Sequence, residues 1–266
     1  MNRVQTTKKD FTVNYNQLFT DILEKEGTIS DCFRVFHNYS INNQFLAYWQ
    51  LKQKGYSISP LNTFNGWKKL NRSIKAGEKA LYLWMPMGYS KTVIDEETGL
   101  EKQVSYIKGF KFLNRWFSME QTKGDIDNKD VMPVNDNFDF NKVLKEFKIK
   151  LIPFEKFNGN VQGYARLQTN ELAINPLAED KDMTVLHEIA HLACNHLERK
   201  ISDDLKELEA ETVAYIVGSV IGADETQLSH SRGYIQGWFK GNEIPEDNAK
   251  HIMSVANKIL KVGYKK

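Results

Sequence analysis

Two histidines four residues apart, with a glutamate beside the first, stand at His187-Glu188-Ile189-Ala190-His191. On a helix, side chains at i and i+4 share a face, so both imidazoles can reach one metal ion. Glu188 is then placed to take a proton from a water held by that ion, which is the chemistry of metal-assisted hydrolysis. At ordinary residue frequencies the pentad arises by chance in about 1% of chains this long. The competing explanation is a solvated helix with two surface histidines. Thr184, Val185, Leu186, Ile189, Ala190, Leu192 and Ala193 count against it, because they surround the pentad with apolar bulk. Buried imidazoles need partners, and a metal is an economical one.

Two histidines and a base leave a metal short of a third protein ligand. A second helix is expected to begin at Ser202, a good N-cap followed by the acidic pair Asp203-Asp204 at the positive end of the helix dipole. Leu205, Leu208, Val213, Ala214, Val217, Val220 and Ile221 give it a wide apolar face. Glu207 and Glu211 are i and i+4 on that helix, whereas Glu209 is expected to point away into solvent. Glu207-Leu-Glu-Ala-Glu211 resembles the Glu-x-x-Ala-Asp pattern of zinc peptidases whose third ligand is a glutamate. That resemblance implies Glu207 on the metal and Glu211 hydrogen-bonded to a ligand histidine. The reverse assignment uses the same face and stays open. His196 is expected to be an exposed helix-end residue, and Cys194 a small core residue off the ligand face.

The elements that must carry these groups follow from pattern and punctuation. Helices are expected near 14–26, 41–54, 140–148, 178–198 and 245–262, and strands near 80–89, 104–118, 150–155 and 161–174. The stretch 94–102 reads as an exposed hairpin tip. The polar, proline-containing stretch Asp125 to Asp139 reads as the boundary between domains at 1–130 and 131–266. A small sheet followed by two ligand-bearing helices resembles the core of a zincin-type peptidase. There the strand beside the metal helix pairs with extended substrate, here Glu171 to Ile174. The fold class expected is therefore α+β in two domains, with the mixed α/β domain first.

Composition narrows the setting. No apolar run reaches membrane-spanning length, and the N-terminus lacks the apolar core of a signal peptide, so a cytosolic protein with no membrane partner is expected. Two cysteines, Cys32 and Cys194, are too few for a disulfide framework. The net charge of +2 conceals an asymmetry: residues 1–130 carry 19 basic against 14 acidic side chains, residues 131–266 carry 17 against 20, and 52–115 carry 12 against 5. Aromatic residues are dense in that basic stretch, as single-stranded nucleic acid binders require, with rings for bases and cations for phosphates. Most rings in any protein fill cores, so composition by itself favours packing.

Serial motifs sharpen this. Asn42-Asn-Gln-Phe-Leu46, Phe64-Asn-Gly-Trp67, Ile74-Lys-Ala-Gly-Glu-Lys79, Trp84-Met-Pro86 and Trp116-Phe-Ser-Met-Glu-Gln-Thr122 together resemble the N-terminal domain of ArdC-type antirestriction proteins, also found at the front of some plasmid primases. Leu186-His-Glu-Ile-Ala-His191, Glu207-Leu-Glu-Ala-Glu211 and Ser231-Arg-Gly-Tyr-Ile-Gln-Gly-Trp238 are similar to the metallopeptidase-like domain that follows it. The likeness spans roughly 14–262. It implies an N-terminal domain that binds single-stranded DNA without sequence preference. Behind that domain it implies a zinc-peptidase fold, in a plasmid or conjugative element whose incoming DNA is shielded from restriction. Candidate DNA contacts are Trp67, Lys68, Lys69, Arg72, Lys75 and Lys79.

Two functional expectations result. In the first, His187, His191 and Glu207 hold Zn2+, with Mn2+ or Co2+ as substitutes, and Glu188 is the base. Tyr234 donates to the developing oxyanion, packing at a helix start being the competing role. The substrate is a host restriction enzyme or another protein on DNA. In the second, a non-proteolytic DNA-binding protector keeps a structural or vestigial metal site, against which Glu188 argues, since a closed site has no use for a base.

Overall fold

The computed structural model describes residues 12–94, 99–125, 138–156 and 161–264. Helices α1 (Tyr15–Leu23), α2 (Thr28–Phe36) and α3 (Ile41–Gln53) are followed by β1 (Leu61–Thr63), α4 (Phe64–Lys69), β2 (Ser73–Ile74), β3 (Leu81–Ile94), β4 (Glu101–Ser118) and β5 (Thr122–Lys123). Then come α5 (Phe140–Glu146), β6 (Lys150–Leu151), β7 (Gly163–Arg166), β8 (Glu171–Ile174), α6 (Lys181–Ala193), α7 (Asp203–Ile221), α8 (Glu225–Phe239) and α9 (Glu246–Gly263). The expected helices and strands are present, with 161–174 resolved into two strands and 150–155 reduced to the short β6. Helices α2, α4 and α8 are additions that the apolar pattern did not announce. The expected boundary stretch lies almost wholly, and the tip of the β3–β4 hairpin partly, outside the described residues.

The chain forms two compact units, Met1–Glu26 with Phe138–Lys266, and Gly27–Asn137. This differs from a division at 130/131, because α1 packs with the C-terminal elements. Phe19 stacks on Phe239 at 5.8 Å, Gln236 Nε2 donates to the Leu23 carbonyl at 2.7 Å, and the Ile244 N–H donates to Asn16 Oδ1 at 2.8 Å. An ion pair between Arg232 and Glu26 closes the same contact.

In the Gly27–Asn137 unit the main sheet has the order β1-β4-β3, all neighbours antiparallel, with β2 and β5 paired separately. Phe45, Leu46, Leu51, Trp67, Leu81 and Leu83 form its buried core. β3 is an edge strand, and α3 covers its root with two side-chain amides. Asn43 donates to the Trp84 carbonyl and accepts from the Trp84 N–H, both at 2.8 Å. Gln50 does the same for Tyr82, both at 2.9 Å. Each amide stands in for a missing neighbouring strand, so the edge is satisfied without one.

In the other unit β8 is central, parallel to β6 and antiparallel to β7. The expectation that β8 pairs with substrate is therefore corrected: both its edges are taken, and β7 is the edge strand beside α6. Gly163 permits that closeness, since a Cβ there would meet Thr184 Cγ2 of α6 at 2.7 Å. Side-chain caps start the site-bearing helices: Ser202, as expected, accepts from the Leu205 N–H, and Asp180, not anticipated, accepts from the Met183 N–H.

Asn43→Ala leaves the Trp84 N–H and carbonyl without their partner, so an unfolding titration of the full chain should show a loss of about 2–3 kcal/mol. A loss below about 0.5 kcal/mol would mean that water replaces the clamp.

Candidate metal centre

Helix α6 brings His187 and His191 to one face, and α7 packs across it so that Glu207 meets both. His187 Nε2 and His191 Nε2 lie 3.1 Å apart, and the two Glu207 oxygens lie 3.4 Å from one nitrogen and 3.4 Å from the other. Four-coordinate zinc with ligand atoms at about 2.0–2.1 Å requires them to stand about 3.3 Å from each other. The three side chains thus fit a metal ion as they stand.

What holds the imidazoles from behind explains their orientation. His187 Nδ1 lies 2.8 Å from Glu211 Oε2, and the Ser231 hydroxyl also donates to Glu211. His191 Nδ1 lies 2.9 Å from His196 Nδ1, whose Nε2 lies 3.0 Å from Glu209 Oε2. Asn248 Nδ2 donates to Glu209 Oε1 at 2.7 Å, and Arg199 donates to Oε2. Burial opposes ionisation of Glu209, but the bonds from His196, Arg199 and Asn248 outweigh it and hold the carboxyl below its usual range. As an anion Glu209 only accepts, so His196 must donate from Nε2 and accept at Nδ1. His191 then donates from Nδ1 and turns its Nε2 toward Glu207. The same logic through Glu211 turns His187 Nε2 to the same carboxylate.

Two expectations are corrected here. His196 is buried, not exposed, and Glu209 is buried, not solvated. Asn195, in the left-handed conformation at φ 56°, ends α6 and turns His196 back against His191. An asparagine just past a helix, followed by a histidine, was the signal available in sequence. Cys194, His196 and Glu209 also cluster within ligand distance of one another. Arg199 already supplies the positive charge there, and burial holds the Cys194 thiol protonated by raising its pKa. That cluster is a packed network rather than a second ion site.

In the metal-free arrangement burial pushes the His187 pKa down, but bonds to Glu207 and Glu211 overcome it and raise it to about 10. Glu207 is held well below the carboxylate range by hydrogen bonds from both histidines. Both shifts favour positive charge between the imidazoles and Glu207, where a cation also fits. Glu188 differs: burial raises its pKa, and the Ala165 N–H of β7 donates to its carboxylate.

A cleft of about 520 Å³ opens over these groups, lined by Gly163 and Gln162 beside β7, by His187, Glu188, Glu207 and Glu211, and by Gln227, His230 and Tyr234 of α8. Tyr234 lies in the C-terminal half of α8 rather than at a helix start, with its ring 49% exposed. Burial and then Glu207 raise its pKa, so the phenol keeps its proton. Gln227 and His230 were not singled out in sequence because α8 itself was not; Asp224, which caps it, was the available signal.

The candidate DNA contacts lie elsewhere, in the Gly27–Asn137 unit. Lys68, Lys69, Lys75 and Lys79 are exposed. Trp67 is 2% exposed and donates from Nε1 to the Phe117 carbonyl at 2.8 Å, so it is a core ring and a base has no face of it to stack on. Arg72 is spent on Thr122 Oγ1 and the carbonyls of Met119 and Gly124, and Lys75 Nζ donates to the Glu120 carbonyl at 2.6 Å.

Fold and site define a two-domain α+β protein whose second part is a zincin-like metallopeptidase domain. Residues 22–112 match the family described as the N-terminal domain of anti-restriction factor ArdC, and residues 144–217 match the IrrE N-terminal-like domain. The chain thus carries an ArdC-type N-terminal domain followed by an IrrE N-terminal-like domain. Among solved structures it is similar to antirestriction protein ArdC from the R388 plasmid. The Mn(II)-bound form is 14% identical over 96% of this chain and 99% of that one, with a TM-score of 0.53. The metal-free form is 19% identical over 94% of each chain, with a TM-score of 0.49. No curated protein matches. Among the described residues no helix is long and apolar enough to cross a membrane.

Glu209→Gln keeps the shape of the buried network but removes its charge. It should weaken zinc binding, measured by chelator competition, about 10–100-fold while the metal-free protein still melts cooperatively. Unchanged affinity would show that His191 needs no support from His196.

Proposed function

We propose that this protein is a DNA-associated zinc metallopeptidase of the ArdC type, with a site formed by His187, His191 and Glu207 as ligands, Glu211 behind His187, and Glu188 as the base. The observation that carries this reading is the convergence of two imidazole Nε2 atoms and the Glu207 carboxylate at tetrahedral spacing, with Glu188 beside them. The nitrogen and oxygen donors suit zinc and also accept manganese, the ion in the R388 ArdC crystal structure.

A divalent ion held there supplies Lewis acidity, polarising a carbonyl and acidifying water. The rest falls to the chain. Burial raises Glu188 toward the range where it can both take a proton and return one. The Ala165 N–H fixes its carboxylate from β7, so the base is oriented before substrate arrives. A peptide entering the cleft can lie along β7, the free edge. Tyr234, protonated and half exposed at the cleft, donates a hydrogen bond to the oxygen that gains charge. Glu188 then passes its proton to the leaving amine.

The basic N-terminal domain brings this chemistry to single-stranded DNA, which makes a protein on DNA, such as a restriction enzyme, the proposed substrate. Protection of incoming plasmid DNA is the proposed outcome, in the cytoplasm.

Glu188→Ala should retain zinc stoichiometry and oligonucleotide affinity, yet lose about 100-fold or more in peptide-bond hydrolysis and lose protection of transferred DNA from restriction. Full protection by that variant would contradict proteolysis and leave a binding protein whose metal site has no catalytic part.

A further inference from the structure

One surface of the Gly27–Asn137 unit serves no packing purpose within that unit. At the root of the β3–β4 pair, α3 clamps Tyr82 and Trp84, and β1 lies beside Trp116, Phe117 and Ser118. Outward from the Met85–Lys111 pair the two strands bond only to each other among the described residues. A two-stranded ribbon buries neither face and is marginal by itself in water. Yet this one exposes Met85, Met87, Tyr89, Tyr106, Ile107 and Phe110.

Cross-strand partners share a face, so the register sorts these side chains. One face begins in the core with Leu83 opposite Leu113. It then runs outward through Met85 with Lys111, Met87 with Gly109, Tyr89 with Tyr106, Lys91 with Val104, and Val93 with Lys102. The tyrosine rings stack at 5.5 Å with 24° between their planes. The register shift between Met87 and Gly88 brings Tyr106 opposite Tyr89, and only glycine fits at 88, where a Cβ would meet the Tyr106 carbonyl oxygen at 2.2 Å. Lys91 follows the ring pair by one step on that face, about 7 Å. Among its described residues the face carries three lysines and no carboxylate.

We propose that this face of the β3–β4 ribbon is the single-strand binding surface, with bases stacking on the Tyr89–Tyr106 pair and Lys91, Lys102 and Lys111 holding phosphates. It rests on the DNA reading above and replaces Trp67 as the source of stacking. Flat exposed rings between cations suit unstacked bases; a duplex offers rings no free base face.

The test is fluorescence anisotropy of a labelled oligothymidine and of a duplex, at two salt concentrations, with the full chain and two variants. Tyr89→Leu/Tyr106→Leu keeps apolar bulk without flat rings. Lys91→Gln/Lys102→Gln/Lys111→Gln removes charge only. Thermal melts confirm folding of both. Single-strand affinity should fall at least tenfold in the tyrosine variant at fixed salt. In the lysine variant the slope of log affinity against log salt should shrink by about 2. If the unaltered protein binds single strands and both folded variants bind equally well, the ribbon is overturned while the DNA reading stands. If the unaltered protein binds neither nucleic acid, both fall. Preference for the duplex would overturn base stacking.

Discussion

Lone pairs that converge need a hydrogen or a cation between them, and the centre of this protein is built on such a convergence. Two imidazole Nε2 atoms and a carboxylate stand 3.1–3.4 Å apart, a spacing that a shared proton or a cation reconciles. The surrounding structure enforces the arrangement. Buried Glu209, held by Arg199 and Asn248, dictates which nitrogen of His196 carries hydrogen, and His196 dictates the same for His191. Glu211 does so for His187 directly. The histidines are unequal in support, one backed by a carboxylate and the other through a second imidazole, yet both turn Nε2 to Glu207.

Local periodicity explains what was legible from the residues alone. The helix period places His187 beside His191 and Glu207 beside Glu211 wherever the helices lie, and the cap at Ser202 marks the start of the second. What depended on distant packing was not legible. Glu209 sits on the helix face opposite Glu207, and only the docking of α9, which brings Asn248, together with the Asn195 turn, buries it. Strand order is likewise nonlocal: β8 precedes α6 in sequence, but it lies between β6 and β7, so the free edge belongs to β7. Trp67 has the composition of a stacking residue and the environment of a core one. The first helix was assigned to the basic domain by sequence order, whereas its contacts are with α8.

The two units divide the proposed work by chemistry. One offers an exposed ribbon of rings and lysines; the other offers a cleft in which Glu188 is fixed by an edge strand and Tyr234 stands on α8. On the proposed reading, joining them in one chain raises the local concentration of the metal site near DNA-bound protein without requiring either site to recognise sequence.

The most direct measurement is X-ray absorption at the zinc edge of the zinc-loaded protein. The proposed centre predicts two imidazole nitrogens and carboxylate or water oxygens at about 2.0–2.1 Å, with no sulfur. A scatterer at about 2.3 Å would place the ion on Cys194 in the buried cluster and contradict the account.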